Sequence, residues 1–274
     1  MIVAIVDTET NGRTPGEVIE LAMLLRRLSS KVYVPFWACG MWDPSLEATS
    51  RRFTPDQPST FKALSVHGLS SALLEGFDPS AIAGGFVDDV ECFIAHNARF
   101  DIEVLKVEPP LVIDTLALSR AFCPDDEGHT LGAMLLRVDQ RLGLEHRNVA
   151  HGALADVQAC ARVLDWLVAQ FVAPPSRTWA SLAHLSEALA VPETIMFGKH
   201  KGTRWCDLDY GYIKWYLNLP VPDQDPEVRA RMQAEQAYRF GTKTRCPHCD
   251  GLGAIIDDEY GLWSLCSCFT PKRS

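Results

Sequence analysis

Asp7-Thr8-Glu9-Thr10-Asn11-Gly12 closes an apolar run, Ile2 to Val6, with two carboxylates one residue apart. On a strand, residues two apart face the same side, so Asp7 and Glu9 project together. Two carboxylates side by side in a poorly hydrated setting repel, and one protonates unless a cation sits between them. A hard divalent ion with a preference for oxygen resolves that conflict. The bland alternative is that Asp7 merely ends a strand and Glu9 is solvated. A second segment, His96-Asn97-Ala98-Arg99-Phe100-Asp101, reads as a strand end followed by a helix that Asn97 can cap. Asp101 then lies about one turn into that helix, near the C-terminal edge of the sheet, where α/β sites cluster. A third segment is His151-Gly152-Ala153-Leu154-Ala155-Asp156. Five helical residues leave an offset of about 140°, so His151 and Asp156 cannot share one helical face. Asp156 fits the helix with its side chain toward the sheet, and His151 the loop before it. A partly exposed His above a carboxylate cluster titrates near working pH and suits a general base. Read singly, the second and third segments are equally a capped helix with a surface Asp and a surface His at a helix start.

The nine cysteines divide in two. Cys39, Cys92, Cys123, Cys160 and Cys206 are scattered and read as small buried hydrophobes. Cys246-x-x-Cys249 and Cys266-x-Cys268 are two close pairs separated by sixteen residues. That layout suits a tetrahedral four-thiolate Zn²⁺ site on a hairpin, with a redox pair or unliganded thiols as the alternatives. Such a site is structural, and its use would be to bind nucleic acid or a protein partner.

These side chains need a scaffold. Ile2 to Val6 reads as a buried central strand, with Glu17 to Leu28 and Lys31 to Ala38 completing a meander. Phe93 to Asn97 and Leu111 to Asp114 read as strands. Arg99 to Lys106, Leu116 to Phe122, Leu131 to Leu142 and Ala153 to Phe171 read as helices. The pattern predicts an α/β layer on a mixed central sheet. The Pro174-Pro175 break marks a boundary. Three units follow: residues 1–172, a small and mostly helical unit over 177–240, and a zinc-ribbon-like tail over 241–274. Within the second unit, helices are expected over Thr178 to Leu189, Tyr210 to Leu217 and Pro226 to Phe240, the last a charged and solvated one. In the tail, Ile255-Ile256 and Leu262-Trp263 are the expected hairpin strands.

The chain has 274 residues, 47% of them hydrophobic and 22% charged, enough for a large core. No apolar run is long enough to cross a bilayer, and Met1 to Asp7 lacks the basic start of a secretion signal. A cytoplasmic location with no membrane partner is expected. The formal net charge of -9 argues against a nucleic-acid partner until its placement is considered. Residues 1–172 hold 14 Lys and Arg against 23 Asp and Glu, whereas 173–274 hold 12 of each. The excess lies in the unit that carries the acids described above.

Together the three acidic segments resemble the motifs of the DEDDh, or DnaQ-like, 3′–5′ exonucleases in order and spacing. Val66-His67-Gly68-Leu69 and Ile113-Asp114-Thr115-Leu116-Ala117 are similar to family segments between the motifs. The resemblance covers residues 1–171 and implies a ribonuclease-H-like fold. It implies that Asp7, Glu9, Asp101 and Asp156 hold two Mg²⁺ or Mn²⁺ ions about 3.5–4 Å apart, with His151 as the base. It further implies that Thr8, Thr10, Asn11, His96 and Asn97 lie near the terminal nucleotide. Where the family commonly has a second Thr after its Glu-Thr pair, this chain has Asn11. Residues 178–235 resemble the C-terminal segment of the exodeoxyribonuclease X group, which favours DNA 3′ ends over RNA as substrate. There, Gly198 and Gly202 bracket a turn that presents Lys199, His200 and Lys201. The lysines could meet phosphates, and Tyr210, Tyr212 and Trp215 could stack bases, although such residues are as readily a solvated turn and a core stripe. The rivals to a DNA exonuclease are an RNA exonuclease with the same site and a nucleic-acid or replication-factor binding module. The tail could recruit a replication or repair protein.

Overall fold

The structure, a computed structural model, describes residues 1–13, 16–38, 41–43, 45–123, 128–147, 152–190, 195, 198–220, 225–240, 246, 249, 252, 254–257 and 259–267. The strands are β1 (Ile2–Thr10), β2 (Val18–Arg27), β3 (Trp37–Ala38), β4 (Met41–Trp42), β5 (Glu47–Thr54), β6 (Asp78–Pro79), β7 (Cys92–Ala95), β8 (Leu111–Asp114), β9 (Ala254–Ile256) and β10 (Trp263–Leu265). The α-helices are α1 (Phe61–His67), α2 (Ser71–Leu74), α3 (Ala98–Leu105), α4 (Thr115–Phe122), α5 (Leu131–Val138), α6 (Gln140–His146), α7 (Ala153–Phe171), α8 (Trp179–Leu189), α9 (Tyr210–Leu217) and α10 (Pro226–Arg239).

The main sheet runs β6-β5-β2-β1-β7-β8, with β2 antiparallel to both β1 and β5 and with β7 and β8 parallel to β1. This is the mixed sheet expected of a ribonuclease-H-like fold. Strand β1 is covered on both faces, and its alternation decides what each side chain meets. Val3 and Ile5 join the core formed with α4, α7 and α8, whereas Ala4 and Val6 join Phe53, Phe93 and Leu105 on the other side. Asp7 and Glu9 continue the first of these faces, toward α7.

Three expected elements differ. Lys31 to Ala38 is not the third strand of the meander; that place belongs to β5. Within 31–36 only Val32 makes an isolated bridge, to Thr178. The backbone N–H groups of Phe36 and Trp37 instead donate to Asp165 at 3.0 and 2.7 Å, and the rings of Tyr33 and Phe36 pack on Trp179. The expected helix over Leu131 to Leu142 is two helices. Asp139 adopts extended backbone (φ −158, ψ 111) and caps α6 by accepting from the N–H of Leu142, so one residue stops a helix and starts the next. Helix α10 is not merely a solvated face, since Met232 and Glu235 are fully buried against the second unit's core of Ile195, Trp205, Leu208, Ile213 and Tyr216.

Antiparallel β9 and β10 form the expected hairpin, and it packs on the main core. Trp263 stacks on Phe122 with ring centres 5.9 Å apart, and its carbonyl accepts from the N–H of Ala173 at 2.9 Å. Among the described residues, no helix is long and apolar enough to cross a membrane.

Candidate active site

Strand β1, helix α3 and helix α7 deliver four acids to the C-terminal end of the central strands. Asp101 and Asp156 each lie in the first turn of their helices, where the positive end of the helix dipole favours a carboxylate. Each of those first turns is also held by another acid. The Glu20 carboxylate, on β2 directly opposite Glu9, accepts from the N–H of Ala153 at 3.2 Å. Asp114, at the end of β8, accepts from the N–H groups of Asn97 and Ala98 at 3.0 and 3.2 Å, and from Leu116 at 2.8 Å. Asn97 therefore does not cap α3 with its side chain. It occupies the left-handed region (φ 77) and makes no side-chain cap bond, the carboxylate of Asp114 taking that role.

Carboxylate oxygens of Asp7, Glu9 and Asp156 lie within 4.8 Å of one another. Asp101 stands beside this trio, oriented by the hydroxyl of Thr8, which donates to Asp101 Oδ1 at 2.7 Å. Burial, with the neighbouring acids adding to it, raises the Asp7 carboxyl well above its ordinary range and pushes Glu9 up to about 8. Burial pushes Asp101 up to about 7 against the hydrogen bond from Thr8. Asp7, Glu9 and Asp101 in this state cannot all ionise near neutral pH without a counter-charge. An all-carboxylate donor set with this spacing fits hard divalent ions such as Mg²⁺ or Mn²⁺.

The other expected site residues fall in different places. His151 lies outside the described residues. Thr8 is buried, its hydroxyl spent on Asp101, while Thr10 is half-buried on the same strand. Asn11 is fully buried and is not presented to a substrate. Its amide nitrogen donates to Glu17 (2.6 Å) and to the carbonyl of Gln57 (3.2 Å), and its oxygen accepts from the N–H groups of Arg13 and Glu17. A Thr could not make this four-way bridge, which accounts for the Asn at this position. His96 is likewise engaged, Nδ1 with Thr115 Oγ1 at 2.9 Å and Nε2 with the carbonyl of His129 at 2.7 Å, leaving neither ring nitrogen for a nucleotide. Asn97 is exposed beside the acids.

Two residues escaped the sequence reading. One is Glu20, indistinguishable from a polar residue on a half-exposed strand until its partner strand is known. The other is His146, whose Nε2 donates to Asp156 Oδ1 at 2.7 Å, both residues being buried. It lies in a different helix from Asp156, so only the tertiary structure, which brings the end of α6 to the first turn of α7, could reveal it.

The chain is 26% identical over 242 residues to Exodeoxyribonuclease 10 of Escherichia coli (strain K12), an alignment covering 84% of this chain and 96% of the relative. The chain is related to the DnaQ-like exonucleases. A second relative, a DNA polymerase III subunit epsilon-like protein of Rhodobacter capsulatus, is 27% identical over 184 residues, covering 60% of this chain and 24% of the relative. Among solved structures, exonuclease X in complex with 5′ overhanging duplex DNA aligns with a TM-score of 0.49 and 23% identity, over 65% of this chain and 99% of that one. No family model matches the chain.

The three described cysteines of the tail also converge. The thiol sulfurs of Cys246, Cys249 and Cys266 lie within 4.8 Å of one another, and Cys249 and Cys266 are buried. Cys268 lies outside the described residues. A soft, all-sulfur donor set of this size fits Zn²⁺.

Proposed function

We propose that the chain is a metal-dependent 3′–5′ exonuclease that hydrolyses DNA from its 3′ end to nucleoside 5′-monophosphates by a two-metal-ion mechanism. The observation that carries this reading is the convergence of Asp7, Glu9 and Asp156 within 4.8 Å, with Asp101 beside them. A protein that only bound nucleic acid would gain nothing from gathering acids where phosphates must approach. The relation to an exodeoxyribonuclease over most of the chain points to DNA as the substrate.

In this reading Asp7, Glu9, Asp101 and Asp156 would hold two Mg²⁺ or Mn²⁺ ions. Ions bound there supply an activated water and offset the charge that develops on the phosphate. The chain's own residues do the rest. Thr8 fixes the direction of Asp101, and Glu20 and Asp114 fix the first turns of α7 and α3. His151, two residues before α7 in the sequence, takes the proton from the attacking water. Asn97 and Thr10 border the terminal nucleotide. Residues 1–172 form the hydrolytic unit together with α8, which packs in the same core; the rest of 177–240 is a helical accessory unit, and 241–274 a tail in which Cys246, Cys249, Cys266 and Cys268 hold a structural Zn²⁺. The free thiols of Cys92, Cys123 and Cys160 suit a reducing, cytoplasmic setting.

The test is release of nucleotides from 3′-labelled single- and double-stranded DNA, with matched RNA ends in competition. Mg²⁺-dependent release from DNA is expected, lost on chelation. Trimming by Asp7→Ala at the wild-type rate would overturn the reading, and preference for the RNA end would replace its substrate.

A further inference from the structure

The second unit holds a cleft that the acids do not use. Its volume is ≈ 650 Å³, and Gly198, Lys199, His200, Asp209, Tyr212 and Trp215 are among its lining residues. That is enough room for one nucleotide unit. One wall is the turn over 198–202, pinned by hydrogen bonds from the N–H of Ile195 to the carbonyl of Thr203 (2.9 Å) and from the N–H of Gly202 to the carbonyl of Ile195 (2.7 Å). Gly198 (φ 63) and Gly202 (φ 84) take left-handed backbone that lets the chain reverse so tightly. Exposed Lys199 and Lys201 are thereby presented on a fixed backbone.

The other wall is α9. Tyr212 and Trp215, three residues apart, lie on one face of it, with ring centres 5.2 Å apart and planes 32° apart. Trp215 is 54% exposed, whereas Trp205, in the core of the same unit, is 1% exposed. The ring of His200 lies 4.3 Å from that of Tyr212, and His200 Nε2 is buried with no hydrogen-bond partner among the described residues. Lys199 Nζ stands 5.9 Å from the centre of the Tyr212 ring, a cation at the edge of an aromatic face. The one acid in the wall, Asp209, is occupied in capping α9 at the N–H of Tyr212.

A flat apolar face beside a fixed pair of cations matches a base joined to its phosphates. The unit that holds the cleft also touches the helix that carries Asp101. Arg99, two residues before Asp101, pairs with Asp225 at 3.3 Å, and the N–H of Asp225 donates to the hydroxyl of Tyr216 on α9 at 3.0 Å. We propose that Trp215 and Tyr212 stack an unpaired base of single-stranded DNA while Lys199 and Lys201 meet its phosphates. The second unit then grips the strand behind the 3′ end being hydrolysed. This inference rests on the exonuclease reading for its substrate.

The test uses the full chain carrying Asp7→Asn, without divalent ions, and reads binding of a labelled oligo-dT strand by fluorescence anisotropy. Trp215→Ala should weaken binding about tenfold, the effect of losing one stacked base, and Trp215→Phe should restore most of it. Lys199→Glu with Lys201→Glu should weaken binding and flatten its salt dependence. All three side chains are exposed, so the variants should melt like the parent. Unchanged strand affinity in both the Trp and the Lys variants overturns the proposal, as does equally tight binding of a free nucleoside monophosphate. In either case DNA hydrolysis by the wild-type chain leaves the exonuclease reading standing. Strand binding through Trp215 by a chain that hydrolyses no DNA would instead remove the exonuclease reading and leave the cleft as a binding surface.

Discussion

The carboxylate of Glu20 accepts a hydrogen bond from the backbone N–H of Ala153 across 133 residues of sequence. Glu20 thereby ties the sheet to the first turn of α7, three residues before Asp156, and its other oxygen lies 3.4 Å from Arg52 Nε. Glu20→Ala leaves a buried donor without its partner, at a cost of about 1–3 kcal/mol. It also frees the turn that aims Asp156. We expect a lowered melting temperature and at least about a tenfold loss of hydrolysis, since small misplacements of catalytic groups are costly. Glu20→Gln keeps an acceptor oxygen and should lose less in both measurements. Equal losses in the two variants would mean that the charge of Glu20, rather than its grip on α7, is what matters.

Asp7→Ala and Asp156→Ala should abolish hydrolysis of 3′-labelled DNA while leaving the circular dichroism spectrum unchanged. His151→Ala should keep a residual rate, lower by roughly 10²–10⁴, the usual contribution of a positioned base. Its pH–rate profile should lose one limb. An unaltered profile in that variant would exclude His151 as the base.

Burial and mutual repulsion raise Asp7, Glu9 (to about 8) and Asp101 (to about 7). A carboxyl whose pKa is higher folded than unfolded binds its proton more tightly in the folded chain, so stability falls as pH rises through the interval between the two values. For Glu9 that interval runs from the ordinary 4.5 of a Glu carboxyl up to about 8. The metal-free chain should therefore lose melting temperature between about pH 5 and about pH 8. Mg²⁺ offsets the exposed charge, so its stabilisation should be larger at the upper end of that range. Thermal melts with EDTA and with Mg²⁺ across this range read both effects. A stabilisation by Mg²⁺ that is independent of pH would show that these acids are not its ligands.

Trp263 of the tail stacks on Phe122, and Ala254 belongs to the main core. A Zn²⁺ held by Cys246, Cys249 and Cys266 would therefore cross-link a segment that packs on the hydrolytic unit. The purified chain should carry about one Zn²⁺. Cys249→Ser should release it and lower the melting temperature of the whole chain, while Mg²⁺-dependent hydrolysis persists at low temperature. Metal analysis and a thermal melt of the same sample check this. A tail that merely recruits a partner would lose its metal and leave the melt unmoved.

The local placement of the acids was legible in the sequence. A strand period of two puts Asp7 and Glu9 on one face, and Asp101 and Asp156 fall in first turns of α3 and α7. The spans Leu111–Asp114, Ala153–Phe171 and Tyr210–Leu217 agree with their sequence-based expectations to the residue, because apolar periodicity and the flanking Pro and Gly residues decide them locally. What tertiary structure alone decided depends on partners far along the chain. Strand β5, Glu-Ala-Thr-Ser-Arg-Arg-Phe-Thr, is exposed for most of its length and carries no apolar alternation, so only pairing with β2 makes it a strand. Lys31 to Ala38 has the composition of a strand, but Asp165 takes the backbone donors a sheet would need. Asn11 and His96 look like substrate contacts until their hydrogen bonds are counted, and Glu20 and His146 look like nothing until α7 is in place. Side-chain periodicity is written in neighbouring residues, whereas the partner of a buried donor or carboxylate is chosen by the packing of segments up to 133 residues apart.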